Sequence, residues 1–236
     1  MEISAAGSRP AGYTFLLEFF GSTSMPLWHT SYVSFSGTYR LKVQDGSTEE
    51  IYPTRYWPGE KVSDHLEFAL KYDGTDLGSL TQIFTRISEN ELVEYIRSRP
   101  TGKYARRIWF LYEFLTEKQL PIDDIVSGNY VYALEEEKYY TIREGEKLRR
   151  YRIINNLLGS REFCPVIRKT RKLNGHNSAD LRSRCDEIIT AYPPDLLRRA
   201  LSFLYNKETK SSFEIEHAKP DAVRTAKFIA SLALAE

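Results

Sequence analysis

The segment Tyr39-Arg-Leu-Lys-Val-Gln-Asp-Gly-Ser-Thr-Glu-Glu-Ile-Tyr52 decides the first part of the fold. Its first five residues alternate apolar and basic side chains, which is the period of a β-strand. Asp45-Gly46 is a turn signal, and Glu50-Ile-Tyr52 is predicted to follow as a second strand. Aromatic and β-branched residues also gather over 13–20 and 32–43. The sequence therefore predicts a small β-rich unit in the first fifty residues.

Beyond Pro58-Gly59, apolar residues recur at the three- and four-residue spacing of amphipathic helices. One helix is predicted to open with a capping box, Ser88 with Glu91, and to end before Pro100. Because several short helices in a row can contain a helix-turn-helix, DNA binding is among the functions to consider. The other predicted helices carry the stripes Leu66, Leu70 and Tyr72; Leu77, Leu80, Ile83 and Phe84; and Ile108, Leu111, Tyr112 and Leu115.

The segment 128–174 has mixed patterns. Residues 130–134 and 138–142 are predicted to be two strands joined by Glu135-Glu-Glu137. Adjacent carboxylates in a turn point apart, so we interpret these glutamates as a solvated loop and not as a metal site. Residues 148–158 have near-helical spacing, and Asn174-Gly175 is a turn signal.

The last third is helical in pattern. Residues 178–192 predict one helix, which Pro193-Pro194 ends. Asp195 opens the next helix, where its charge suits the helix dipole, and this helix is predicted to run to Glu216. A final helix is predicted from Asp221. The apolar stripes of the first two are Leu181, Cys185, Ile188 and Ile189, and then Leu197, Leu201 and Leu204.

Together these patterns predict an α+β protein that is mainly α. An N-terminal region is expected over 1–174, with a β-containing part at 1–57, a helical part at 60–120 and a mixed part at 128–174. A helical region is expected over 175–236.

Composition excludes several classes. The chain has 236 residues, 42% of them hydrophobic, so it can bury a substantial core. No stretch reaches the roughly 20 apolar residues of a membrane span, and residues 1–12 lack the apolar core of a secretory signal. The two cysteines are expected to be free thiols in a cytoplasmic protein, and the spacing of the four histidines predicts no metal site.

The net charge of +1 conceals an uneven distribution. Residues 44–94 hold four basic and eleven acidic side chains, and residues 143–172 hold ten basic and three acidic ones. Two solvated faces that attract each other are the ordinary interpretation, and a surface for nucleic acid or an acidic protein is the alternative. The basic tract, residues 147–172, contains the candidate partner-binding residues Arg149, Arg150, Arg152, Arg168, Lys169, Arg171 and Lys172.

The segment Lys207-Glu-Thr-Lys-Ser-Ser-Phe-Glu-Ile-Glu-His217, followed by Lys219-Pro-Asp221 and a helix, carries a Ser-x-x-x-Glu pair. Ser212 and Glu216 are four apart and so share one face of a helix. This segment resembles the inhibitory helix of Fic proteins, a family of bacterial protein AMP-transferases. Tyr56-Trp-Pro-Gly59, Asp64-His-Leu-Glu-Phe-Ala-Leu70 and Phe163-Cys-Pro165 are similar to the long N-terminal extension of larger Fic proteins.

The resemblance implies a regulatory role for Glu216. In the family, this glutamate pairs with an arginine of the catalytic loop that otherwise holds the γ-phosphate of ATP, while the loop histidine activates a target hydroxyl. Here His217 stands where Gly or Asn is usual in the family. The resemblance implies ATP and Mg²⁺ for the complete enzyme, a Fic catalytic core as partner in cis or in trans, and possibly a target protein.

The catalytic loop of the family, His-x-Phe-x-Asp/Glu-Gly-Asn-Gly-Arg, does not occur in this sequence. No phosphate-binding loop or nucleophile turn replaces it. We therefore expect no catalytic residue and no cofactor in this chain, and no AMP transfer by the chain alone. The alternative hypothesis is a stand-alone nucleic-acid-binding or antitoxin-like regulator that uses the basic tract.

Overall fold

The computed structural model describes residues 7–22, 26–35, 37, 39–44, 46–178, 180–215, 223 and 227. The chain divides into two compact units, Met1–Lys169 and Thr170–Glu236. The division lies close to residue 174, where the sequence placed its boundary. The predicted fold class, α+β and mainly α, is confirmed.

A four-stranded mixed sheet begins the first unit. Its strands are β1 (Ser8–Ala11), β2 (His29–Ser34), β3 (Arg40–Gln44) and β4 (Ser47–Pro53), in the spatial order β1-β2-β4-β3. β2 and β4 are parallel, and the other neighbours are antiparallel. Gly46, with φ of 82°, lies between β3 and β4, so the strand and turn predicted for this segment are confirmed. Asp45 lies outside the described residues.

The helices of the first unit form its core. The largest fully buried side chains include Trp109, Tyr13, Tyr112, Leu66 and Leu111, and their burial removes enough apolar surface from water to order the unit. The helices are α1 (Gly12–Phe19), α2 (Val62–Phe68), which continues as a π-helical turn (Ala69–Asp73), α3 (Leu77–Phe84), α4 (Glu89–Ser98) and α5 (Lys103–Thr116); a 3-10 turn covers Thr54–Tyr56.

The β-rich prediction was wrong for residues 13–20, which form helix α1. Gly12 has φ of 58°, a left-handed conformation that turns the chain from β1 into the helix. The Oδ2 atom of Asp73 then accepts the backbone N–H of Tyr13 at 3.0 Å. An acceptor sixty residues away thus replaces the local cap that the sequence lacks, which is why the local pattern gave no helix signal.

The first turn of α2 is also capped by a carboxylate that lies far away in sequence. Ser88 makes no side-chain cap for α4, so the predicted capping box does not form. Glu91 instead accepts the backbone N–H of Ser63 at 2.9 Å, in the first turn of α2. The helix over 89–98 exists as predicted, but its predicted cap stabilises a different helix.

A small second sheet forms within 130–158, and its first strand lies inside the strand predicted over 130–134. Its strands are β5 (Val131–Tyr132), β6 (Glu146–Leu148) and β7 (Ile153–Asn155), in the order β5-β7-β6. The predicted strand over 138–142 is wrong, since only an isolated bridge joins Tyr139 to Arg168. Residues 148–158 have helical spacing, but they contain the end of β6 and all of β7 and form no helix. The buried side chain of Asn156 bonds the N–H and C=O of Leu134 and so continues the sheet contacts where the strands end.

The second unit contains three described helices, α6 (Arg171–Ser178), α7 (Leu181–Thr190) and α8 (Pro194–Ile215). The turn predicted at Asn174-Gly175 is wrong, because the hydroxyl of Thr170 accepts the N–H of Leu173 and starts a helix that runs through it. The helix predicted over 178–192 is α7, which Asp180 caps through the N–H of Ser183. The helix predicted from Asp221 lies outside the described residues except at positions 223 and 227.

We predict that Asp73→Ala will destabilise the first unit by about 2–5 kcal/mol, because it leaves the N–H of Tyr13 and the hydroxyl of Ser31 buried without an acceptor. Urea unfolding followed by circular dichroism measures this loss. Asp73→Asn is the matched control, since it keeps an acceptor oxygen and should lose less. Equal losses for the two variants would contradict the capping role.

The same carboxyl should make stability depend on pH. Burial raises the pKa of Asp73 to about 7, although Ser31 and Tyr13 donate hydrogen bonds that oppose the shift. An unfolded aspartate titrates near about 3.9, so the folded state holds the proton more tightly and its advantage is lost as pH rises through 7. We expect the unfolding free energy of the wild type to fall relative to Asp73→Asn between pH 4 and 7, by up to about 1.4 kcal/mol per unit. Parallel profiles would refute this.

Candidate functional site

Helix α8 contains residues 207–215 of the segment that resembles the inhibitory helix, and local chemistry explains where the helix starts. Pro194 occupies its first position, where a missing N–H costs nothing, and Asp195 places a negative charge in the first turn. Arg198 lies 3.5 Å from Asp195, one turn along the helix. The helix predicted to open at Asp195 therefore exists, and it begins one residue earlier, at Pro194.

The apolar residues of α7 and α8 are largely exposed. Phe203 is 68% exposed and Ile215 is 79% exposed, in contrast to Ile108 and Leu111 of α5, which are fully buried. An amphipathic helix that exposes its apolar face normally has a partner surface. The exposed members are Leu181, Ile188, Ile189 and Tyr192 around α7, and Leu196, Leu201, Phe203, Leu204 and Ile215 on α8.

The helical period places the predicted motif beside this stripe. At about 100° per residue, Leu197, Leu201, Leu204 and Ile215 fall within about 60° of one another. Ser212 belongs to α8 and follows about 60° around from Leu197. The side chain of Ser212 and all of Glu216 lie outside the described residues, and Ile215, immediately before Glu216, is still helical.

The basic tract does not form one surface of free charges, because Arg150 is an internal side chain. Its guanidinium makes two bonds to the carboxylate of Glu113, at 2.9 and 3.0 Å, and donates to the carbonyls of Leu120 and Ile122. It also stacks over the ring of Trp109. Burial alone would raise the pKa of Glu113, but hydrogen bonds from Arg150, Tyr151 and Trp109 outweigh it and the pKa is lowered.

Arg152 and Arg168 are also engaged within the first unit. Arg152 donates to the carbonyls of Ile125 and Val126, at 3.1 and 2.6 Å. Arg168 donates to the carbonyl of Asp73 at 2.7 Å, and its guanidinium lies 3.4 Å from the centre of the Trp28 ring. These arginines satisfy carbonyl groups that regular strands or helices would otherwise pair.

The other basic residues of the tract are exposed. Lys169 donates to the carbonyl of Glu136, whereas Arg149 lies in a surface turn and Arg171 and Lys172 lie in the first turn of α6. Of the seven candidate residues, these four can offer charge to a partner, and the three discussed above serve the fold.

Glu135 is another residue whose role differs from the sequence interpretation. The acidic loop is not simply solvated there, because Lys103, Arg107 and Lys138 all lie within 3.3 Å of the Glu135 carboxylate. Burial alone would raise its pKa, but these cations lower it to about 2. Glu135 therefore links α5 to the segment after β5 as a structural anion.

The sequence interpretation missed a buried polar network that surrounds Asp73. The Oδ1 atom of Asp73 accepts the hydroxyl of Ser31 at 2.5 Å, and the hydroxyl of Tyr13 donates to the carbonyl of Gly74. His29 lies 3.0 Å from the carboxylate of Glu50, and burial lowers the pKa of His29. The sequence gives only a weak signal for this network. Its polar residues belong to separate helices and strands, and they come together only when the chain folds. Ser31 and Asp73 are buried, so this network is structural.

Comparison of the chain with protein-family models, curated proteins and solved structures finds no match. In the part of the chain that the structure describes, no helix has the length and apolar character needed to cross a membrane. Among the same residues, no three His, Cys, Asp or Glu side chains are grouped so that they could hold a metal ion.

Two neighbouring arginines of the basic tract allow a matched test of structural and surface roles. We expect Arg150→Ala to lower the unfolding free energy by about 3–5 kcal/mol, because it leaves the carboxylate of Glu113 buried without its cation. Arg149→Ala should change it by less than about 0.5 kcal/mol. Urea titration of both variants measures the difference. Similar stabilities would show that Arg150 is not an internal ion-pair partner.

Proposed function

We propose that this chain is the regulatory N-terminal part of a Fic-type protein AMP-transferase, in which Glu216 restrains a nucleotide-binding arginine of a catalytic core outside this chain. The observation that carries the proposal is that the exposed apolar stripe of α8 leads directly into the Ser212/Glu216 motif. The stripe supplies the docking surface and the motif supplies the chemistry.

Docking of α8 is energetically reasonable. Leu201, Leu204 and Ile215 are about half or more exposed, and full burial of such a side chain is worth about 1.5–3 kcal/mol relative to full exposure. Burying all three against a core would hold the helix in a fixed rotation. A fixed rotation is needed because a bidentate carboxylate–guanidinium contact depends on direction.

The inhibitory contact would act by competition. If α8 continues by one residue, Glu216 falls about 40° beyond Ser212 on the same side of the helix. A charge-assisted hydrogen bond is worth about 1.5–3 kcal/mol, so pairing of Glu216 with an arginine would compete with the γ-phosphate for that guanidinium. In this sequence His217 follows Glu216, where the family has Gly or Asn.

The proposal assigns no catalysis to this chain. ATP, Mg²⁺ and the catalytic histidine belong to the core, which pairs with the chain in cis or in trans in a bacterial cytoplasm. The first unit, with its closed core, is then the accessory region that contacts a target protein.

The alternative, a nucleic-acid-binding or antitoxin-like regulator, ranks second. Arg150, Arg152 and Arg168 already bind groups of their own unit, which reduces the charge available to phosphates. Its test is binding of labelled DNA or RNA at about 50 mM salt, where phosphate contacts are strongest. Binding that weakens steeply with salt and disappears in a variant with Arg149, Arg171 and Lys172 changed to Ala would favour it.

We predict that Glu216→Gly will raise AMP transfer at least tenfold when the chain is joined to a Fic catalytic core, since loss of a bond of about 1.5–3 kcal/mol corresponds to roughly that factor. The assay measures incorporation of radiolabelled AMP from ATP into protein. The unjoined chain should transfer none.

Glu214→Gly is the matched control, because it makes the same substitution about 200° away on the helix. It should leave AMP transfer near the wild-type rate. Equal rates for the Glu216 variant and the wild type would overturn the inhibitory assignment. A genome of origin that encodes no His-x-Phe-x-x-Gly-Asn-Gly-Arg core, either continuous with this chain or as a separate chain, would overturn membership of the family.

A further inference from the structure

Strand β3 (Arg40–Gln44) forms one edge of the first sheet. It pairs with β4 on one side, and no strand among the described residues pairs with its other side. All five of its residues are exposed. Its outer edge therefore presents backbone N–H and C=O groups to any chain that can pair with them.

The two faces of β3 differ in chemistry. Leu41 and Val43 lie opposite Glu50 and Thr48 of β4, on the face where Tyr52 packs into the core. They are nevertheless 53% and 68% exposed, because the core beneath the sheet does not extend to its edge.

The other face of β3 is basic. Arg40 and Lys42 lie opposite Ile51 and Glu49 of β4. Among the described residues neither of the two cations forms an ion pair. The strand thus carries an apolar stripe on one face and a positive stripe on the other.

Edge strands often carry charges that prevent aggregation, and these charges oppose pairing of β3 with itself. An antiparallel register centred on Lys42 places that lysine opposite its own copy. A register centred on Leu41 places Arg40 opposite Lys42. Like charges directly opposite each other destabilise a pair of strands, so these two registers disfavour a second copy of the chain as the occupant. The exposed side chains of Leu41 and Val43 do not protect the edge against aggregation. Their exposure indicates that a segment other than a second copy of β3 binds there.

We propose that the free edge of β3 binds an extended segment of a partner protein in which acidic and apolar residues alternate. Such a segment would continue the sheet through backbone hydrogen bonds. Its apolar residues would cover Leu41 and Val43, and its carboxylates would lie beside Arg40 and Lys42. This surface is independent of α8 and of the proposed inhibitory function.

The test uses the whole chain and a fluorescein-labelled peptide, acetyl-Thr-Glu-Val-Glu-Val-Glu-Thr-amide, in fluorescence anisotropy titrations. We expect saturable binding. Three control peptides separate backbone pairing from charge attraction. One has the same composition in the order Glu-Glu-Glu-Thr-Val-Val-Thr. The other two keep the original order and are N-methylated at alternate residues, so that each of them blocks backbone hydrogen bonding along one edge of the peptide. Both the reordered peptide and one of the N-methylated peptides should bind at least about tenfold more weakly.

Charge reversal provides the matched variant. Arg40→Glu with Lys42→Glu should weaken binding of the acidic peptide about tenfold or more and create binding to acetyl-Thr-Lys-Val-Lys-Val-Lys-Thr-amide. Arg55→Glu with Lys61→Glu makes the same charge change away from β3 and should leave binding of the acidic peptide unchanged. Leu41→Ser with Val43→Ser should also weaken it, and circular dichroism checks that each variant is folded.

Three outcomes would overturn the proposal. The first is no saturable binding of the acidic peptide to the folded wild type. The second is equal binding of the ordered, reordered and N-methylated peptides, which would reduce the effect to charge attraction. The third is self-association that Leu41→Ser with Val43→Ser abolishes, which would make a second copy of the chain the occupant.

Discussion

The first unit depends on the buried carboxylate of Asp73. One oxygen accepts the backbone N–H of Tyr13 at the start of α1, and the other accepts the hydroxyl of Ser31 on β2. The residue itself ends the π-helical turn that extends α2. One side chain thus fixes two helices and a strand relative to one another. Gly12 must be glycine here, both because its φ is positive and because a Cβ atom would collide with the Asp73 carboxylate.

Long-range satisfaction of backbone groups recurs through this unit. Glu91 caps α2 from α4, and Arg150 and Arg152 hold carbonyl groups of the segment that follows α5. In each case a charged side chain serves a segment far away in sequence. Buried backbone groups need partners, and irregular segments find them in side chains instead of regular ladders. Charged side chains that the local sequence pattern assigns to the surface therefore bind backbone groups inside the unit.

This explains which predictions from the sequence succeeded. The α3 and α5 helices and the β3–β4 turn follow from periodicity and from turn residues, which act within a few positions. Helix α1 was missed because its cap is Asp73, and 148–158 was misinterpreted because β7 gains its partners from β5 and β6. For the candidate site, the sequence located α8 but could not show that its apolar stripe is exposed.

That exposure distinguishes the helices of the second unit from those of the first. The stripe of α5, which includes Ile108 and Leu111, is buried within the first unit, whereas Leu201 and Leu204 repeat the same spacing on α8 and are about half exposed. The same apolar spacing therefore leads to burial in one helix and exposure in the other. An apolar stripe specifies that a helix needs a surface to pack against, but it does not specify which surface. For α5 the surface is its own unit. For α8 we propose that the surface belongs to a catalytic core, because exposed apolar side chains such as Phe203 and Ile215 normally have a partner surface.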